Sequence, residues 1–189
     1  MTHTKAMRFA TGLPAGALLL CLLAPGAARG QRGGEGGQDE TAFLRAVGVH
    51  FGTPRSEVLV LSRLGVSSRE IPVVLRLSKR AGVSPDVVVA QRRRGDRWMK
   101  IARSYSVHAG DFHVPVDGSA GFLKAAYERF SARSASEWSE ISLSDEEVVG
   151  LVNARFLSRA LGIAAGRVLA AMGDGRDVVG VFVRLSAGG

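Results

Sequence analysis

Three residues with metal-binding side chains, His108, Asp111 and His113, fall within six positions of one another. Two imidazoles and a carboxylate suit a divalent transition metal. Ligand pairs on a helix sit three or four residues apart, however, and a separation of five turns the two histidines away from each other. No cysteine assists, because the single cysteine, Cys21, lies in an apolar N-terminal stretch. The trio is therefore not read as a metal site. Acid–base chemistry is no better served. Asp145, Glu146 and Glu147 follow Ser144 in the order of a helix-capping box, and Glu137 and Glu140 flank Trp138 in a turn-like segment. His50, beside Phe51, reads as a partly exposed helix-end residue. The glycine-rich run at 33–37 lacks the preceding strand and the following Lys-Ser/Thr of a phosphate loop. No catalytic constellation stands out, and no cofactor or metal is implied.

The residues that carry the most chemical signal are basic. From Arg55 to Arg103 there are twelve basic residues against four acids, whereas the rest of the chain beyond residue 30 has ten against thirteen. Arg92, Arg93, Arg94, Arg97, Lys100 and Arg103 gather where one short helix should end and the next begin, beside Trp98. Guanidinium groups pair in two-pronged fashion with phosphate or carboxylate, and an indole stacks on a base or settles among lipid headgroups. These seven residues form a candidate polyanion site for anionic lipid, lipopolysaccharide or nucleic acid. The plainer reading is a solvated helical face with Trp98 in the core. It is favoured, because charge runs on helices are usually solvated faces.

The elements that must position these residues begin with a leader. Lys5 and Arg8 precede an apolar run from Leu13 to Ala24, and the small residues around Gly26-Ala27-Ala28 follow. Charged, apolar, then small is the order of a cleavable signal peptide. The apolar run is about a dozen residues, broken by prolines, against the ~20 needed to span a bilayer. Leu20, directly before Cys21, does not suit lipidation. Residues 1–30 are thus expected to be removed on export to the periplasm or beyond, leaving a mature chain that starts at Arg29 or Gln31 and has no transmembrane segment. Without the leader the charge falls from +8 to +5 and no cysteine remains. Residues 31–40, rich in Gly and Gln, are expected to be a flexible linker.

The rest, residues 41–185, is 'all-α' in pattern. Hydrophobic content is 46% with only 6% aromatic, which leaves Val, Leu, Ile and Ala to fill the core. Three segments, starting at Gly52, Gly82 and Gly162, align without gaps. Each has a second glycine thirteen positions on (Gly65, Gly95, Gly175) and a Val six after the first (Val58, Val88, Val168). The period predicts repeated glycine-punctuated helical hairpins over 41–80, 81–112 and 144–185, with an irregular insertion at 113–143. A helix over 68–80 should bury Ile71, Val74, Leu75 and Leu77 and turn Arg69, Arg76, Lys79 and Arg80 outward. In the insertion, a proline- and glycine-marked loop should precede a helix over 122–133. Ser144 and Glu147 should open a helix running to about Ala160.

The spacing Ser78, Gly82, Val88 resembles a helix-turn-helix core. Ser158, Gly162 and Val168 repeat it, as do Gly48, Gly52 and Val58, and Ala102, Ser106 and Phe112 match it with Ser in place of Gly. The chain over nearly all of 41–185 also resembles a group of uncharacterised exported bacterial proteins built from such hairpins. The resemblance implies fold and address but no activity. Helix-turn-helix spacing would point to DNA, yet an exported protein meets little operator DNA. The function expected from these residues is a non-enzymatic exported interaction or structural module. Its partner would be a protein or an envelope component, with polyanion binding through 55–103 as the alternative.

Overall fold

The computed structural model describes residues 32–188, and every regular element among them is helical. The helices are α1 (Arg32–Phe51), α2 (Arg55–Arg63), α3 (Ile71–Ala81), α4 (Pro85–Arg93) and α5 (Trp98–Ser104). They continue with α6 (Ala109–Phe112), α7 (Lys124–Ser131), α8 (Asp145–Leu161), α9 (Ala165–Met172) and α10 (Val178–Ala187). The expected leader and cleavage site lie outside the described residues. None of the described helices is long and apolar enough to cross a membrane.

The expected linker is a correction. The chain is already helical from Arg32, so 32–40 is the first half of α1 rather than a loose tether. Each glycine there costs about 1 kcal/mol relative to alanine. The helix propagates through them from its buried half, where Phe43, Leu44 and Val47 are locked in the core.

Helix α8 is the axis of the fold. It is buried on almost every side from Val148 to Leu157, and α1, α3, α5, α6, α9 and α10 all pack on it. Its start is held as the spacing predicts: the Ser144 N–H donates to Glu147 Oε2 (2.8 Å), and the Glu147 N–H donates to Ser144 Oγ (3.2 Å). Helix α3 lies alongside, with Ile71, Val74, Leu75 and Leu77 fully buried and Pro72 in its first turn, where no helical N–H is needed. It starts three residues later than the periodicity suggests, because Ser67–Glu70 forms a separate turn.

The insertion is more regular than expected. Two 3-10 helices, Gly121–Leu123 and Ala135–Glu140, bracket α7. Tyr127, Phe130 and Trp138 surround the His113 ring, and the Trp138 indole N–H donates to the Phe130 carbonyl (3.1 Å). Phe122 pins the insertion to the rest. Its ring lies so close to Gly150 and Gly175 that a β-carbon there would come within 2.7 and 2.4 Å of it.

Candidate functional site

The seven basic-block candidates do not form one open surface. Trp98 is fully buried, so its indole belongs to the core and touches no external ligand. Arg92 is folded inward over it, with its guanidinium 4.7 Å from the ring centroid. It donates from Nη2 to Glu70 Oε1 (2.9 Å) and from Nη1 to Asp145 Oδ2 (2.6 Å), tying α4 to the starts of α3 and α8. Lys100 pairs with Asp96 one turn back (2.6 Å), and Arg103 donates to the Ile141 carbonyl (3.3 Å). Only Arg93, Arg94 and Arg97 stay exposed at the α4–α5 turn without a side-chain partner among the described residues.

The metal-like trio is likewise absorbed into structure. The His108 N–H donates to Asp111 Oδ2 (2.9 Å) at the start of α6, while His113 lies in the aromatic cluster. Burial raises the Asp111 pKa, but the His108 N–H, the His108 charge and Arg80 outweigh it and hold the carboxyl below its usual range.

A different basic group converges. The last turns of α1, α3 and α8 and the short α6 enclose a cleft of about 570 Å³. Helix α1 contributes His50 and Phe51, α3 contributes Arg76, Lys79 and Arg80, α8 contributes Arg155 and Arg159, and α6 contributes Asp111. Arg76, expected to face outward with Lys79 and Arg80, is instead half-buried. It stacks over Phe112 (6.0 Å) and donates to the Asp111 carbonyl. Its neighbour across the cleft, Arg155, donates to the His113 carbonyl. Its buried Nε has no hydrogen-bond partner among the described residues. Of the five cations, only Arg80 has a carboxylate within ion-pair distance among the described residues, namely Asp111 at 2.9 Å.

The electrostatic strain shows in the titrating groups. Burial, then repulsion from Arg155, pushes the Arg76 guanidinium down to about 10. Burial also lowers Arg155, with Arg159 adding to it. Burial and then Arg159, Lys79 and Arg76 hold the His50 imidazole below 6.5. A bland explanation is that cations at helix C-termini merely answer the helix dipoles. Each terminus is equivalent to about half a negative charge, so three termini offset roughly 1.5 positive charges. Asp111 offsets one more, and an excess of about 2.5 positive charges remains. Dipole complementation accounts for part of the cluster but not all of it.

Local sequence does carry a trace of this site. Lys79 and Arg159 each stand three residues before the glycine that ends their helix, and His50 and Arg80 each stand two before theirs. Arg76 and Arg80, and Arg155 and Arg159, are also spaced to share a helix face. What no local pattern supplies is that these three helix ends meet.

No protein-family model, curated protein or solved structure matches the chain.

Proposed function

We propose that this chain is an exported, non-enzymatic helical binding protein whose ligand carries phosphate or carboxylate and sits in the cleft between α1, α3, α6 and α8. The observation that carries this reading is the convergence of five cations from α3 and α8 on one carboxylate, in a cleft that the end of α1 completes with His50 and Phe51. Four of those cations have no carboxylate partner among the described residues, and like charges held this close are destabilising unless something offsets them. An anionic ligand would supply the missing negative charge and hydrogen-bond acceptors. Export rests on the charged, apolar and small order of residues 1–30. Mass spectrometry of protein purified from the cell envelope should find an N-terminus at Arg29 or Gln31. An intact Met1 chain in the cytosol would refute export.

The cleft is made by hairpins that the same reading treats as copies of one unit. Gly82 and Gly162 end their helices in nearly the same left-handed conformation, at φ 68° and 66°. The N–H of the following residue closes each turn onto Ser78 and Ser158, and Thr53 closes the Gly52 turn onto Gly48 in the same way. Ser106, where the spacing has Ser in place of Gly, also sits at positive φ, 57°. These similar turns support the reading of the hairpins as copies of one unit.

The test is calorimetry and thermal unfolding with inorganic phosphate and pyrophosphate, on the mature chain and on a Lys79→Gln, Arg159→Gln double variant. Pyrophosphate should raise the melting temperature of the wild type, with affinity falling as salt rises. The double variant should lose that shift while melting, without ligand, at or above the wild-type temperature, because like-charge repulsion is relieved. No shift in the wild type at low salt, or an equal shift in both proteins, would overturn the proposal.

A further inference from the structure

The cationic cleft does not end at Arg159. The same guanidinium, with His50, also lines a second groove of about 520 Å³ on the other side, between α1, α8 and α10. That groove is different in kind. Its walls are Ala42, Ala46 and Val49 on α1, Ala160 on α8 and Phe182 on α10. Val49, one of these lining residues, is 79% exposed, the most exposed large apolar side chain among the described residues. Residues 42, 46 and 49 fall on one helix face, so the alanines leave a shallow trough with Phe182 across from them. A positively charged cleft and an apolar trough therefore share one boundary, formed by His50 and Arg159.

We infer that the ligand is a single-chain anionic amphiphile, with its headgroup among Arg76, Lys79 and Arg159 and its hydrocarbon chain along the α1–α8–α10 groove. This rests on the reading of the cleft as an anion site and adds the chemical class of its occupant. Charge complementarity assigns the headgroup, and the groove's position directly beside the cleft, with His50 and Arg159 lining both, assigns the chain. An extended peptide fits less well. The polar side chains on the groove, Arg45, His50 and Arg159, offer hydrogen-bond donors almost exclusively, so the N–H groups of a peptide backbone would be buried without acceptors. A hydrocarbon chain makes no such demand. Grooves of roughly 300–1,000 Å³ that are mostly apolar with a few convergent polar groups are also the usual form of small-molecule sites.

The experiment compares sub-micellar decyl phosphate, inorganic phosphate, decyl maltoside and vesicles of anionic phospholipid, titrated into the mature chain and into Ala42→Trp. Ala42 is exposed, so the indole should fill the groove without unfolding the protein. Decyl phosphate should bind at least tenfold more tightly than inorganic phosphate and than decyl maltoside. Ala42→Trp should abolish that preference and leave inorganic phosphate binding unchanged. Equal affinity for decyl phosphate and inorganic phosphate would sink the amphiphile while sparing the anion cleft. Failure of every anion to bind would sink both. Decyl maltoside binding as tightly as decyl phosphate, or vesicle binding that Ala42→Trp does not weaken, would each refute the inference in favour of an apolar site or a membrane surface.

Discussion

Replacing Arg92 by Gln separates an arginine that holds the fold together from arginines that face solvent. Its guanidinium donates to Glu70, Asp145 and the Asp96 carbonyl and lies over the Trp98 ring. Removing it leaves two carboxylates, 20% and 28% exposed, without their main donor. Hydrogen bonds to charged groups contribute about 1.5–3 kcal/mol each in general. Partial exposure lets water recover part of that, so the pair together is worth about 1.5–2 kcal/mol. Loss of the stacking over Trp98 adds about 0.5–1 kcal/mol. The expected cost is therefore about 2–3 kcal/mol, or a melting temperature lower by roughly 4–12 °C for a chain of this size. Arg93→Gln, one residue on and exposed, should stay within about 0.5 kcal/mol of wild type. Arg92→Lys should fall between, keeping the charge but losing the two-pronged geometry. Urea and thermal unfolding followed by circular dichroism would measure all three. If Arg92→Gln unfolds within 0.5 kcal/mol of Arg93→Gln, Arg92 is not the tie between α3, α4 and α8 described above.

Gly175→Ala should destabilise more than Gly65→Ala, although both glycines sit at positive φ, 76° and 83°. Left-handed backbone costs each variant about 1–2 kcal/mol. Only at Gly175 would the new methyl meet the Phe122 ring, which Gly150 prevents from moving away, adding about 1–3 kcal/mol of crowding. Phe122→Leu should rescue part of the Gly175→Ala loss, and equal unfolding free energies for the two alanine variants would contradict the wedge. Acid should also weaken the fold early. Burial lowers both His50 and His113, with nearby arginines and, at His50, Lys79 adding to the effect. As pH falls through 6.5 the unfolded chain therefore takes up protons that the folded one resists, and stability declines with it. Unfolding free energy measured at pH 7.5 and 5.5 should show this loss, and His50→Gln should flatten it. Bound pyrophosphate should reduce the His50 part, because nearby negative charge favours the imidazolium. A pH dependence that His50→Gln leaves unaltered would argue against that site.

What local sequence determines here is the helical alphabet. Apolar spacing places α2, α3, α4 and α8, Ser144 and Glu147 mark where α8 begins, and the residue spacing before Gly82 and Gly162 marks where α3 and α8 end. All of these depend on interactions within a few residues, which is the range over which backbone propensity and capping act. The orientation of individual side chains is decided elsewhere. Arg92 and Arg93 are neighbours of the same type, yet one is held by Glu70 and Asp145, at the starts of α3 and α8, and the other faces solvent. Arg76 has a plainly amphipathic context and still turns inward, since α6 covers it with Asp111 and Phe112. The glycines at 36 and 37 read as a tether until the buried half of α1 carries the helix through them. The cationic cleft joins residues near 50, 80, 111 and 159, which no local pattern connects. They become one site because burying both faces of α8 forces the ends of α1 and α3 against its own last turn, and tertiary packing alone brings those like charges together.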